Sequence, residues 1–187
     1  MTLPAAESAG AEPTVRANGD DYVPFVRAAQ RGDRDAYGEL YSRFGRAVHA
    51  VLLARLPRAQ VDDLVQDVFL HALTKLADLR EPAAFGGWIC TLARRRAADH
   101  YRRLPPLDPL VDSVASGASP DVAAEAAAAV AAIQDLPESY RETLALRLLG
   151  GCTGPEIAAI TGLTPDSVRV NLHRGFRLLR ERLGATP

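Results

Sequence analysis

Apolar residues recur three and four positions apart along most of this chain, and no convincing run alternates with the period of a strand. Tyr22, Phe25, Val26 and Ala29 form a first helical stripe, which breaks at Gly32. Tyr37, Leu40, Tyr41, Phe44, Val48, Val51 and Leu52 form a second, ending before Pro57. Leu64, Val65, Val68, Phe69, Ala72 and Leu76 make a third. Ile89, Leu92, Ala93, Ala97 and Tyr101 make a fourth, after a loop at Glu81–Gly87. Residues 104–120 carry Pro105, Pro106, Pro109, Gly117 and Pro120, the composition of a linker. The alanine-rich Val122–Ala132 is expected to be helical by propensity. A further helix opens at Leu136-Pro137, runs through Tyr140, Leu144 and Leu148, and closes at Gly150-Gly151. The predicted fold class is all-α, with two small helical domains joined by a flexible linker. The expected divisions are a disordered tail at 1–19, a first domain at 20–103, a linker at 104–132 and a second domain at 133–184.

The last segment, Thr153 to Arg182, has the punctuation of a helix-turn-helix. Thr153 and Glu156 have capping-box spacing. Ile157, Ala158 and Ile160 supply the apolar side of a short helix. Gly162 sits where the chain must turn, and glycine tolerates positive φ there. Thr164 can cap the next helix, with Pro165 at its first position, where a missing N–H costs nothing. Val168, Leu172, Phe176 and Leu179 then face inward, and Leu183-Gly184 is a stop signal. Arg169, Asn171, His173, Arg174 and Arg177 are left on the outside. Such a motif lays its second helix in the major groove of DNA. An ordinary amphipathic hairpin with a solvated arginine face has the same pattern.

Charge sharpens this picture through its distribution. The net charge is −1, which by itself points to no nucleic acid. Yet Arg94, Arg95, Arg96, Arg102 and Arg103 surround a single Asp99, and a second basic cluster spans 169–182. Between them, 104–132 holds Asp108, Asp112, Asp121 and Glu125 without a lysine or arginine. Cys90 and Cys152 are the only cysteines, too few and too far apart for a disulfide framework or a metal motif. No apolar run is long enough to span a membrane and no signal segment is evident, so the expected location is cytoplasmic.

Two helices carry candidate chemistry. The third presents Asp62, Asp63, Gln66 and Asp67 on one side, continued by Leu70 and His71. A solvated acidic face, a metal site and a docking face for a basic partner helix all fit that row. A metal would need a converging partner that the set lacks. The apolar Leu70 beside the acids favours docking. The fourth helix, GGWICTLARRRAADHYRR, gathers arginines with His100 and Tyr101 on its C-terminal half. Arginines neutralise phosphates and aromatic rings stack on unpaired bases. Trp88 is a candidate stacking group, though its place beside Leu92 favours core packing. No phosphate loop, nucleophile elbow or paired-histidine zinc helix is present, so no catalytic residue, metal or cofactor is assigned.

In this order the segments resemble a bacterial sigma factor of the extracytoplasmic-function group, within the sigma-70 superfamily. AAQRGDRDAYGELYSRF resembles the family's opening helices, VDDLVQDVFLHAL its region 2.2, and AFGGWICTLARRRAADHYRR its regions 2.3 and 2.4. LPESYRETLALRLLGGCTGPEIAAITGLTPDSVRVNLHRGFRLLRERL resembles region 4. The resemblance implies a subunit that binds core RNA polymerase, through the β′ clamp helices and the β flap, and directs promoter-specific initiation. It places Asp62, Asp63, Gln66, Asp67 and Leu70 on the polymerase-binding surface. Arg94, Arg95, Arg96, Asp99, His100, Arg102 and Arg103 fall where the family captures the melted −10 strand. Thr164, Ser167, Arg169, Asn171, His173 and Arg174 fall where it reads the −35 duplex. An anti-sigma protein is the further partner the resemblance implies.

Three positions depart from the family pattern. Arg95 stands where asparagine is usual, and Asn171 replaces an arginine of the reading helix. An asparagine can pair with adenine in the major groove but brings no charge to phosphate. Gly175 stands where alanine is usual, which weakens a helix by about 1 kcal/mol. Two other functions compete with the sigma reading. A stand-alone regulator would call for a dimerisation element, and no coiled coil is present. A hydrolase or nuclease would use Asp62, Asp63 and Asp67 on a metal.

Overall fold

The structure, a computed structural model, describes residues 19–103 and 120–184, with side chains described for 21–102 and 124–184. Residues 1–18 of the expected tail and 104–119 of the expected linker lie outside the described residues, as does the Arg103 side chain. The described residues form α1 (Val23–Gln30), α2 (Arg34–Leu53), α3 (Val61–Lys75), α4 (Phe85–Arg103), α5 (Pro120–Gln134), α6 (Glu138–Leu148), α7 (Gly154–Thr161) and α8 (Pro165–Arg182), with no strand among them.

The first four helices pack as a bundle, each of α2, α3 and α4 against the other two, with α1 on α2. Its centre is aliphatic. Leu40, Val48, Leu52, Val68, Leu76 and Ile89 are fully buried or nearly so. An aromatic chain runs along one side: Tyr22 meets Phe44 edge-on at 5.1 Å, Phe44 meets Phe85 at 5.1 Å, and Phe85 meets Trp88 at 5.8 Å. Trp88 is thus anchored on one face and half-exposed on the other. The expected loop before the fourth helix is shorter than its sequence suggests. A 3₁₀ turn at Pro82–Ala84 leads straight into α4 at Phe85, with the Glu81 side chain capping that turn. Tyr101 departs from the expected apolar stripe of α4 and is 69% exposed.

The second unit follows its local signals closely. Glu156 accepts from the Thr153 backbone N–H at 2.6 Å and from its hydroxyl at 2.8 Å, closing the start of α7. Gly162 turns the chain at φ 73°, in the left-handed region. The Thr164 hydroxyl accepts from the Ser167 N–H at 3.1 Å and starts α8. α5 covers Pro120–Gln134 and packs on α6 and α8, so the helix takes in much of the stretch expected to link the domains.

Gly175 has a packing reason that sequence propensity hides. A Cβ there would lie 2.8 Å from Leu144 Cδ1 and 3.0 Å from Leu144 Cγ, with Tyr140 Cβ at 3.3 Å. The missing side chain lets α8 press against α6 over the fully buried Leu144. Gly175→Ala is therefore expected to destabilise the protein despite a helix-propensity gain of about 1 kcal/mol, because overpacking costs about 1–3 kcal/mol. Thermal unfolding followed by circular dichroism would read this as a lowered midpoint; a raised midpoint would show that Leu144 gives way freely.

Candidate functional site

The acidic row of α3 faces outward. Val61, Leu64, Val65, Val68 and Phe69 are buried, which turns Asp62, Asp63, Gln66, Asp67 and Leu70 to solvent. Leu70 is 63% exposed, and Leu73 and Tyr41 extend the apolar surface beside it. Tyr41 leans on Phe69 at 4.5 Å, so α2 supports this edge. Asp62 lies 3.5 Å from His49 Nε2. Burial holds the His49 imidazole below its ordinary 6.5, against the pull of Asp62 and with help from Arg58. His49 is then neutral near pH 7. No cluster of three histidine, cysteine or acidic side chains is arranged to hold a metal among the described residues. The outer face is an acidic strip that runs into an exposed apolar patch of Leu70, Leu73 and Tyr41.

The arginines of α4 do not form one face. Arg95 is exposed and lines a groove with His71, Lys75, Trp88 and Leu92. Arg102 is exposed and paired with Asp99 one turn back. His100 is half-buried, its Nε2 3.0 Å from the Gln60 side-chain oxygen. Arg94 points the other way, into the seam between the two units. Its Nε donates to Glu142 at 2.8 Å, its terminal nitrogens to the Ile160 carbonyl at 3.0 Å and to the Thr91 hydroxyl at 3.2 Å.

On α8, Thr164, Arg169, His173 and Arg174 are exposed, with Arg169 paired to Asp166 at 3.2 Å. Thr164 and Ser167 are engaged in the cap, their hydroxyls 2.8 Å apart. Asn171 is half-buried, and its amide donates to the Ser139 carbonyl at the start of α6 at 3.0 Å. Arg169, His173 and Arg174 therefore lie on the exposed polar surface of α8, and Asn171 lies at its border with α6.

Sequence reasoning missed Glu142 and Arg55. The Glu142 carboxylate joins Arg94 of α4 to Arg55, just past the end of α2, with Arg55 at 2.7 Å. Burial alone would push the Glu142 carboxyl up, yet Arg94 and Arg55 draw it below its ordinary 4.5, so it is ionised at neutral pH. The Gln134 amide, at the end of α5, adds bonds to the carbonyls of Leu53 at 2.7 Å and Leu56 at 3.0 Å. Glu142 sits 48 residues from Arg94, and no helical periodicity signals a pair at that distance.

Cys90 and Cys152 are both buried and free, one in each unit. Burial pushes each thiol up to about 12, so little thiolate exists near neutral pH. Peroxide is expected to leave both thiols titratable in the native protein, whereas loss of both before unfolding would show a reactive pair.

Comparison with known proteins assigns the arrangement to a family. Residues 40–104 match the family Sigma-70 region 2, and residues 126–179 match Sigma-70, region 4. The chain is 30% identical over 167 residues to the RNA polymerase sigma factor CarQ of Myxococcus xanthus, covering 82% of this chain and 92% of CarQ. It is 32% identical over 160 residues to the ECF RNA polymerase sigma factor SigF of Caulobacter vibrioides, covering 81% of this chain and 88% of SigF. Among solved structures, CnrH in complex with the cytosolic domain of CnrY superposes with a TM-score of 0.66 at 27% identity, covering 90% of this chain and 99% of CnrH. The bundle of α1–α4, the helix-turn-helix of α7–α8 and these matches agree, and the chain belongs to the extracytoplasmic-function group of sigma-70 factors.

Proposed function

We propose that this sigma factor docks on core RNA polymerase through the outer face of α3 and directs initiation at promoters read in two parts. The observation that carries the docking assignment is Leu70, 63% exposed at the end of the Asp62, Asp63, Gln66 and Asp67 row and continued by the exposed Leu73 and Tyr41. A solvated face has no use for a leucine there, whereas a partner helix would cover it. Arg95, Arg96, Asp99, His100 and Arg102 capture the melted −10 strand, with Arg94 joining them when its seam opens. Arg169, His173 and Arg174 contact the −35 duplex, with Thr164, Ser167 and Asn171 at the edge of that surface. Phosphate contacts from the arginines set affinity, and base-edge contacts set sequence preference. Two modest sites on one chain bind as a bivalent unit.

The protein catalyses no reaction of its own and uses no cofactor; it works in the cytoplasm, where its polymerase is. No helix among the described residues is long and apolar enough to cross a membrane. Its regulatory partner is an anti-sigma protein, as the family resemblance implies; CnrH, which it resembles, has been solved in complex with the cytosolic domain of CnrY. The test is transcription by purified core polymerase on a library of genomic fragments. Promoter-dependent transcripts that appear only when this protein is added are expected. Their absence across the whole library would overturn the assignment.

A further inference from the structure

Residues of α2, the first turn of α4 and α7 surround a cavity of about 230 Å³. Much of its wall is small: Ala47 of α2, Ala84 of the 3₁₀ turn, Gly86 and Gly87 of α4, and Ala159 of α7. Two adjacent glycines weaken a helix, so their place in α4 needs a reason. Both stand where a side chain does not fit. A Cβ on Gly86 would lie 2.9 Å from Phe44 Cε1, and one on Gly87 would lie 3.0 Å from the Ala159 carbonyl oxygen. The elements meet closely at these two points, and the short side chains around them leave the space. Phe44, edge-on to Tyr22, and Ile160 give it apolar surface. Protein interiors seldom leave voids much larger than a water molecule, and an apolar cavity of about 150 Å³ takes up benzene. This cavity has room for such a ring and one substituent.

The polar groups on the lining decide what the substituent is. Arg43 already holds Asp21 at 2.8 Å and lies over the Phe25 ring at 4.8 Å. The Tyr22 hydroxyl donates to the Ala83 carbonyl. Glu156 differs from both. Its Oε2 accepts the N–H and the hydroxyl of Thr153, whereas its Oε1 is buried with no hydrogen-bond partner among the described residues. A buried acceptor left unsatisfied is costly, most of all on a carboxyl group. We propose that this cavity is a binding site for a small primary amine with an aromatic or branched apolar body. The body lies against Phe44 and Ile160, and the ammonium group donates to Glu156 Oε1. The last torsion of a glutamate is broad, so a slight turn of the carboxyl group brings Oε1 to the donor. A cationic donor suits this acceptor better than a neutral one, because charge-assisted bonds are roughly twice as strong. No residue of α3 or α8 lines the cavity, so the site stands apart from the polymerase and −35 assignments.

Benzylamine is the probe, with benzyl alcohol and benzoate as its neutral and anionic counterparts. Each is titrated into the full-length, isotope-labelled protein and followed by two-dimensional amide NMR. Two variants accompany the wild type. Glu156→Gln removes the carboxyl group and keeps the capping box, which glutamine serves as well as glutamate. Ala159→Phe places a ring in the cavity from an exposed position of α7. The amide spectrum of each variant shows whether it is folded.

Benzylamine is expected to give saturable shifts at Gly86, Gly87, Gly150 and Ala159, with a Kd on the order of 1 mM for so small a ligand. Benzyl alcohol is expected to shift the same amides and to bind about three- to tenfold more weakly, with benzoate weaker still. In Glu156→Gln the affinity for benzylamine should fall to that for benzyl alcohol. In Ala159→Phe both should be lost. The wild-type titrations decide the matter even where a variant does not fold. No saturable shift at those amides with benzylamine would overturn the site. Benzyl alcohol or benzoate binding as tightly as benzylamine would overturn the amine, and so would undiminished benzylamine binding by folded Glu156→Gln. None of these outcomes depends on whether the protein supports transcription by core polymerase.

Discussion

Asp67→Arg is expected to lower affinity for core RNA polymerase by about ten- to a hundredfold while leaving the fold intact. The side chain is exposed on α3, one turn from Asp63 and beside Leu70. Reversing its charge sets a cation against a basic partner, and like-charge juxtaposition across an interface costs several kcal/mol. Each ~1.4 kcal/mol is a factor of ten. The fold should not object, because arginine is a better helix former than aspartate and surface changes usually move stability by no more than about 0.5 kcal/mol. Binding would be read by competition between wild type and variant for a limiting amount of core enzyme, with thermal melting as the control. Equal competition would remove Asp67 from the docking face.

The largest effect on stability is expected at Phe85. Its side chain is fully buried and stands at the start of α4, in contact with Phe44 on one side and Trp88 on the other. Phe85→Ala removes the middle of that aromatic chain. A buried phenylalanine replaced by alanine costs about 3–5 kcal/mol, out of a total stability of about 5–15 kcal/mol for an ordinary domain. The cavity would also release Trp88, whose ring borders the groove lined by Arg95. Chemical denaturation followed by tryptophan fluorescence, which Trp88 alone supplies, would show an earlier midpoint. A loss below about 1 kcal/mol would mean that neighbouring side chains fill the space.

Much of the local structure was legible because its signals are local. Thr153 with Glu156, Gly162, and Thr164 with Pro165 each sit within four residues of the groups they satisfy, and each does what its spacing predicts. The outward face of α3 follows from six buried apolar residues at helical spacing. Other features depend on neighbours far away in sequence. The close approach at Gly175 exists because Leu144 lies opposite it, so propensity alone reads that glycine as a defect. Arg94 looked like one more cation in a cluster, and only the packing of α6 against the first unit turns it inward. Tyr101 and Leu148 fall on predicted stripes, near the ends of their helices, and are nevertheless 69% and 45% exposed.

The bond from Asn171 to the Ser139 carbonyl would give α8, in the −35 role proposed for it, an unusual economy of recognition. An exposed arginine gives up only hydration when it meets DNA, so it adds to binding wherever a phosphate or guanine is in reach. Asn171 has to surrender a partner it already has. A base that offers an equally good acceptor leaves the sum of hydrogen bonds unchanged; a base that offers none leaves the asparagine where it is. Under the −35 assignment proposed above, the residue would rank promoters while adding little to how tightly the protein holds any of them. Selectivity without extra grip suits a subunit that must leave its promoter once transcription begins.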